Sequence, residues 1–322
     1  MIQNTKRSHL TARWLVIVNP QANNGNLGQW WPAIQLKLTL LLADTKIVIS
    51  KHSGDATVIV EEAVKEGIRH VMAVGGDGIA HQVINGIVLQ KKVPTREITF
   101  ALLPLGTGND WIKSHDIPRN WRHWEQYFLT AIPAYQNLGQ INYQSMDGPL
   151  TRYFMNVAGL AYDAFVVRYM VGKKSRLPGK IFYFWATFRC LFMYQPQRGT
   201  IKYDEHKYES AFYTINAGIG KFSGGGMQLV PQASSQGETL ALTWVGKVSK
   251  LAVALNSFRF YKGRIAGYKK AHLTNCQVIT VLPAAGEELL IEADGEFLGA
   301  CPATISLLPN ALRFLTPATK NN

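Results

Sequence analysis

The chain has 322 residues, 47 % of them apolar, which suffices for two domains with cores of their own. Its formal net charge of +13 points to anionic partners: a membrane surface, nucleic acid or phosphorylated ligands. Three scattered cysteines, Cys190, Cys276 and Cys301, with no CxxC and no HExxH, argue against a disulfide scaffold and a zinc site, and fit a reducing cytoplasm.

In chain order, residues 1–13 are polar and basic, so no signal peptide is expected, and no later stretch is long and apolar enough to span a membrane. Residues 14–110 then alternate regularly. Strands are expected at 14–19, 46–50, 70–74 and 98–104, and helices at 27–42, 55–66 and 80–89. The strands are nearly continuous apolar runs, as parallel strands covered on both faces are. This predicts an open, mostly parallel α/β sheet, which binds ligands at the carboxyl ends of its strands. Beyond residue 135, alternation over 208–215, 240–245, 277–282 and 289–292 predicts an antiparallel, β-rich second domain. Helical stretches at 164–170, 180–193 and 250–261 interrupt it. The expected boundaries are 12–135, 136–308 and a tail, 309–322, whose apolar end could return to the first domain.

Three of the predicted strand ends carry turn chemistry: Asn19-Pro20, Gly75-Gly76-Asp77-Gly78 and the run Pro104 to Asp110. A strand that stops in glycines and opens a helix lets the backbone approach an anion, and the helix N–H groups point at it. Gly75 to Gly78 are thus candidates to hold the phosphates of ATP, with Thr107 and Asn109 adding side-chain hydrogen bonds. A branched side chain at Gly76 is expected to fall where a phosphate lies. Asp77 is a poor phosphate contact and suits magnesium binding or hydroxyl orientation instead. No GxxxxGK[ST] is present, so this is not a P-loop.

The motifs closely resemble the diacylglycerol kinase catalytic family, which includes bacterial lipid kinases and sphingosine kinases. NPxSGxG stands here as Asn19-Pro20-Gln21-Ala22-Asn23-Asn24-Gly25, GGDGTxxEVxNG as Gly75 to Gly86, and PxGTxNDFAR as Pro104-Leu105-Gly106-Thr107-Gly108-Asn109-Asp110-Trp111-Ile112-Lys113. Further along, GGGMxxxP is matched from Gly224 to Pro231, and DGE by Asp294-Gly295-Glu296. A Phe-x-Asn-x-Ala-Gly-Leu-x-x-Asp pattern is matched by Phe154, Asn156, Ala158, Gly159, Leu160 and Asp163. The resemblance covers nearly the whole chain. It implies an N-terminal α/β nucleotide domain, a C-terminal β-sandwich-like domain and a site in the cleft between them. It also implies transfer of the γ-phosphoryl group from ATP, with Mg2+, to a lipid hydroxyl: diacylglycerol, phosphatidylglycerol or a sphingoid-type acceptor.

Carried over residue by residue, Asn19, Ser50, Gly75, Gly76, Asp77, Gly78, Ile79, Ala80, His81, Gly106, Thr107, Asn109 and Asp110 would bind the nucleotide. Glu296 would be the general base, with Asp294 beside it and Asp77 completing the catalytic set. A plain hairpin turn is the alternative for Asp294-Gly295-Glu296. Three departures stand out. Ile79 replaces the family threonine and Gln82 the family glutamate, and residues 234–240 lack the aspartate of a structural magnesium segment. These leave a catalytically weak, lipid-binding regulator as one alternative; a soluble relative of NAD kinase or phosphofructokinase is another.

Two basic groups, Arg168, Lys173, Lys174, Arg176 and Lys180, and Arg259, Lys262, Arg264, Lys269 and Lys270, are interleaved with aromatics. They fit a cytoplasmic protein docked peripherally on the anionic inner membrane surface, against the alternative of solvated helix faces. No nucleic-acid recognition motif accompanies the charge, so no nucleic-acid partner is expected. A homodimer is left open.

Overall fold

The computed structural model describes residues 8–22, 25, 27–145, 148–173, 179–256 and 258–318, with the backbone alone at 179 and 180. Of the residues singled out in the sequence, Asn23, Asn24, Lys174 and Arg176, and the Lys180 side chain, lie outside this description. The chain divides into two compact units, Met1–Gln136 with Asn310–Asn322, and Asn137–Pro309.

The first unit is a parallel sheet flanked by helices. The strand Arg13–Val18 lies between Asp44–Ile49 and His70–Gly75, and Thr99–Pro104 follows on the far side of the last. Every residue from Trp14 to Val18 and from Val71 to Gly75 is buried, which is why these strands read as unbroken apolar runs. The end of the final strand, Ala303–Thr316, joins this unit in parallel, with Arg313 opposite Thr99. The Tyr127 phenol secures it by donating to the Leu315 carbonyl at 2.7 Å. The sheet therefore has a strand that comes from the far end of the sequence.

The second unit is antiparallel. One sheet runs Ala271–Cys276, Leu240–Val245, Thr214–Gly218, Val157–Ala161, Leu290–Ala293 and Glu296–Ala300. A second group pairs Val278–Pro283 with the start of Ala303–Thr316 and with Gln197–Tyr203, and the latter with His206–Phe212. Residues such as Phe154, Phe212, Ile215, Leu242, Ile279 and Ile305 fill one core. The alternation over 208–215 is shared between two strands instead of forming one. At Tyr213 the chain leaves the partner of Gln197–Tyr203 and enters the other sheet, and the Tyr213 N–H bonds Val245 at the corner. Among the described residues, no helix is long and apolar enough to cross a membrane.

Candidate active site

The strand ends of the first unit do form one rim. Beyond the last paired residues the hydrogen bonding continues: Asn19 N–H to Val74, Ser50 N–H to Val18, and Gly106 N–H to Gly75. Two turns meet closely here. A Cβ on Gly76 would stand 3.0 Å from the Gly106 Cα, and one on Gly106 would fall well inside contact distance of Gly76. The glycines at 76 and 106 therefore let two loops press backbone to backbone. This corrects the sequence reading of Gly76, whose Cβ direction faces the neighbouring turn. The direction that meets nothing within 4 Å belongs to Gly78.

The helix after Gly75 begins at Asp77, three residues earlier than the periodicity suggests. Ile79, Ala80 and His81 are consequently buried on its inner face, while Gly76 and Asp77 are half-buried and Gly78 is exposed. Its N-cap residue is Gly76, which has no side chain to cap it with, and the first N–H groups of a helix have no partner within it. Asp77 turns its carboxylate to the next loop and accepts from Asp110 N–H at 2.9 Å and Trp111 N–H at 3.1 Å. It thereby caps the short helix Asp110–Lys113 and ties the two glycine turns together. Asp110 is buried and paired with Lys113.

Asn109 sits in the left-handed region at φ 51°, and its Nδ2 donates to the Gly106 carbonyl at 2.9 Å. Its buried Oδ1 has no hydrogen-bond partner, an acceptor left for a ligand donor or water. Thr107 is half-buried on the same turn. Asn19 Oδ1 closes its own turn by accepting from Gln21 N–H at 2.9 Å, and the buried Ser50 hydroxyl donates to the Val18 carbonyl. The uncapped helix start, the open side of Gly78 and the orphaned Asn109 oxygen together fit a nucleotide's phosphates and a polar group beside them.

In the second unit, Asp294 and Gly295 form a two-residue hairpin turn, both with positive φ, between Leu290–Ala293 and Glu296–Ala300. The two carboxylates of the DGE motif are used differently. Asp294 accepts three backbone N–H bonds, from Met155 at 2.7 Å, Asn156 at 3.0 Å and Val157 at 3.2 Å, and anchors the turn. Glu296 is half-buried, and its charge acts on Tyr143, whose phenol is raised mainly by burial.

Behind the turn lies a pair of carboxyl groups: Asp163, which closes the Phe-x-Asn-x-Ala-Gly-Leu-x-x-Asp pattern, and Glu292, which belongs to no motif. Glu292 is buried and accepts from Gly295 N–H at 2.8 Å. Burial, with the nearby Asp163 and Asp294 charges, pushes its pKa well above the usual carboxylate range. Asp163 is raised to about 6, chiefly by desolvation, and accepts from the Thr214 hydroxyl. The two meet over Gly159: a Cβ there would clash with Glu292 Oε1 and stand 2.9 Å from Asp163 Cβ. Ala161, at φ 68°, turns the strand Val157–Ala161 directly into the helix Tyr162–Met170 and so presents Asp163.

Asp163 and Thr214 also line a largely apolar cavity of about 320 Å³. Its walls include Val166, Phe188, Leu191, Leu229, Val253 and Phe260. Among the described residues, no lysine, arginine or histidine lines it.

Residues 13–135 match the family model described as diacylglycerol kinase catalytic domain, and residues 156–316 the one described as YegS C-terminal NAD kinase beta sandwich-like domain. The chain belongs to the diacylglycerol kinase catalytic-domain family. The diacylglycerol kinase of Staphylococcus haemolyticus is 22% identical over 302 residues, 94% of this chain and 87% of that protein. That of Staphylococcus aureus strain MRSA252 is 22% identical over 302 residues, 94% and 91% of the two chains. A crystal structure of a diacylglycerol kinase from Bacillus anthracis covers 94% of this chain and 96% of its own, with a TM-score of 0.67 at 20% identity. That likeness establishes the fold. At family level the chain is a lipid kinase.

Within this diacylglycerol kinase family chain the departures acquire a physical setting. Ile79 is buried, its Cγ2 lying over Gly75. Gln82 spends its amide on the start of the helix Asp55–Lys65, with Oε1 accepting from Gly54 N–H at 3.0 Å. The segment without the magnesium aspartate is fastened by Asn137, whose N–H bonds the Ser235 carbonyl at 2.8 Å and whose Nδ2 bonds that of Gly237 at 2.5 Å. Amide donors thus hold carbonyls there, and among the described residues no three acidic, histidine or cysteine side chains converge on a metal site. Arg119, which donates to the Gly106 carbonyl at 2.8 Å, belongs to no motif. Glu292 had one visible signal, a lone acid inside an apolar strand.

Proposed function

We propose that this chain transfers the γ-phosphoryl group of ATP to the hydroxyl of a membrane lipid. The observation that carries the reading is the cavity: largely apolar walls, an acidic and hydroxylic end, and no cation among the described residues that line it. A phosphorylated soluble acceptor needs basic partners, and an acyl or alkyl chain needs what this cavity offers. This favours a lipid over the acceptors of the soluble kinases. The rim of the first unit suits the nucleotide, with Gly76 to Gly78 and the first helical N–H groups at the phosphates and Asp77 fixing the geometry of both turns. Mg2+ accompanies the nucleotide and neutralises its phosphates.

Phosphoryl transfer is governed by positioning and charge neutralisation, and a nearby carboxylate supplies orientation and a proton sink for the acceptor hydroxyl. The geometry favours Glu296 for that role, because Asp294 is committed to three backbone amides. The test is ATP consumption against a panel of diacylglycerol, phosphatidylglycerol, sphingoid bases and soluble sugars, with products identified by mass spectrometry. Phosphorylation of a lipid alone supports the proposal. Phosphorylation of a soluble acceptor alone replaces it.

A further inference from the structure

The helix Gly179–Met193 is apolar on two opposite faces. Ala186, Cys190 and Leu191 point inward and are buried. Ile181, Phe184, Trp185, Phe188 and Phe192, at spacings of three and four, are 43–62% exposed. A helix apolar all round belongs in a core or against lipid, and this one has a core on one side only. The following pair of short helices continues the surface, with Leu251, Leu255, Phe258 and Tyr261 47–69% exposed. Lys250 joins the two elements by donating to the Phe192 carbonyl. Three of these residues, Phe184, Phe188 and Tyr261, both stand exposed and line the apolar cavity. The exposed stripe therefore surrounds the mouth of the cavity.

The two sequence segments that carry the stripe hold charges of one sign. Residues 164–203 contain eight lysines and arginines and no acid, and residues 246–276 contain seven and no acid. The cations sit beside the exposed rings: the Arg189 guanidinium lies 5.5 Å from the Trp185 ring centre, and the Arg259 guanidinium and Lys262 ammonium lie 5.7 and 5.9 Å from that of Phe258. Apolar side chains between basic ones are what an anionic bilayer surface accommodates, with the apolar groups below the headgroups and the cations among the phosphates. A second copy is the poorer occupant, since a twofold contact would press two cationic surfaces together.

We infer that the exposed faces of Gly179–Met193, Lys250–Asn256 and Phe258–Tyr261 seat the second unit on an anionic bilayer, with the cavity mouth against the lipid. The inference takes the cavity as the acceptor's site and so rests on the proposed lipid reading. The bilayer delivers the acceptor: a lipid enters between Phe184, Phe188 and Tyr261 without crossing water.

The test uses the full chain and vesicles of phosphatidylcholine with and without phosphatidylglycerol. Leu251→Glu and Leu255→Glu are combined; both residues are exposed, and neither lines the cavity. The native protein is expected to sediment with the anionic vesicles and far less with the neutral ones. The double variant is expected to bind tenfold or more weakly, with the same melting temperature and the same turnover on acceptor dispersed in detergent. Equal sedimentation of variant and native protein, or equal binding to both vesicle types, overturns the inference. So does a native dimer that the substitutions dissociate without changing vesicle binding. Phosphorylation of dispersed lipid by a protein that does not sediment refutes the docking alone. Sedimentation without any lipid phosphorylation refutes the kinase reading and leaves the docking standing.

Discussion

The rim of the first unit and the cavity end of the second are built from opposite materials. The rim is backbone: glycines at 76 and 106 in close approach, an uncapped helix start, and one carboxylate, Asp77, spent on main-chain amides. The cavity end is side chain: Asp163 bonded to the Thr214 hydroxyl, with Glu292 buried behind it. A site made of backbone tolerates little change at its glycines and much at its exposed positions. A site made of side chains should answer instead to pH and to conservative substitution.

The sharpest way to break this comparison is at the glycines. Gly106→Ala places a methyl group against Gly76, with backbone on both sides. We expect destabilisation of about 3 kcal/mol or more, or failure to fold, read by thermal melting. Gly78→Ala adds its methyl group in open space and should melt within about 0.5 kcal/mol of the native protein. A loss of ATP affinity in Gly78→Ala would then report the ligand's place. Normal folding of Gly106→Ala would mean that the two turns are not pressed together as described.

The two DGE carboxylates should separate next. Asp294→Asn turns an amide group toward three N–H donors and should cost about 2–4 kcal/mol of stability. Glu296→Gln should melt normally, bind ATP normally and lose about two to four orders of magnitude in kcat. If Asp294→Asn melts like the native protein and only turnover falls, the anchoring role is wrong.

The carboxyl pair predicts a pH effect of stated sign. Asp163 is raised from the usual carboxylate value to about 6. Below the unfolded value it is protonated in both states, and its contribution to stability is fully present. As pH rises through about 6 the folded protein must ionise it in the interior, and that contribution is lost. Glu292 acts in the same direction. Raising pH from about 4 to 7 should therefore lower the melting temperature of the native protein relative to Asp163→Asn. A native melting temperature that holds or rises relative to that of Asp163→Asn as pH rises contradicts the desolvated carboxyl pair.

The smallest effect concerns metal. Asn137 fastens residues 235–237 through amide donors, so chelation by EDTA without nucleotide should leave the melting temperature unchanged. Asn137→Ala should lower stability by about 1–3 kcal/mol. A fall on chelation would mean that a cation holds this loop after all.

How much of this was legible in the sequence follows the same division. The parallel strands announce themselves because burial on both faces makes them continuously apolar, and the Asp294-Gly295 turn because its two positive φ angles favour that pair. The direction of the Gly76 Cβ was not legible, because it depends on a loop thirty residues away. The strand pairing of residues 313 and 314 with 99 and 100 was visible only as an apolar tail. Asp163 closes a motif and Glu292 stands as a lone acid in an apolar strand, but that the two meet depends on strand register and the strained turn at Ala161, which leave no local pattern. The break at Tyr213 was not legible because Phe212 to Gly218 are buried without interruption across it.

The most direct test of the central claim follows ATP labelled at the γ-phosphate, incubated with the native protein and anionic vesicles that carry the best acceptor from the lipid panel. The account predicts label in the lipid extract at a rate that falls at least a hundredfold in Glu296→Gln. Label released only as inorganic phosphate, or equal transfer by the native protein and Glu296→Gln, would contradict it.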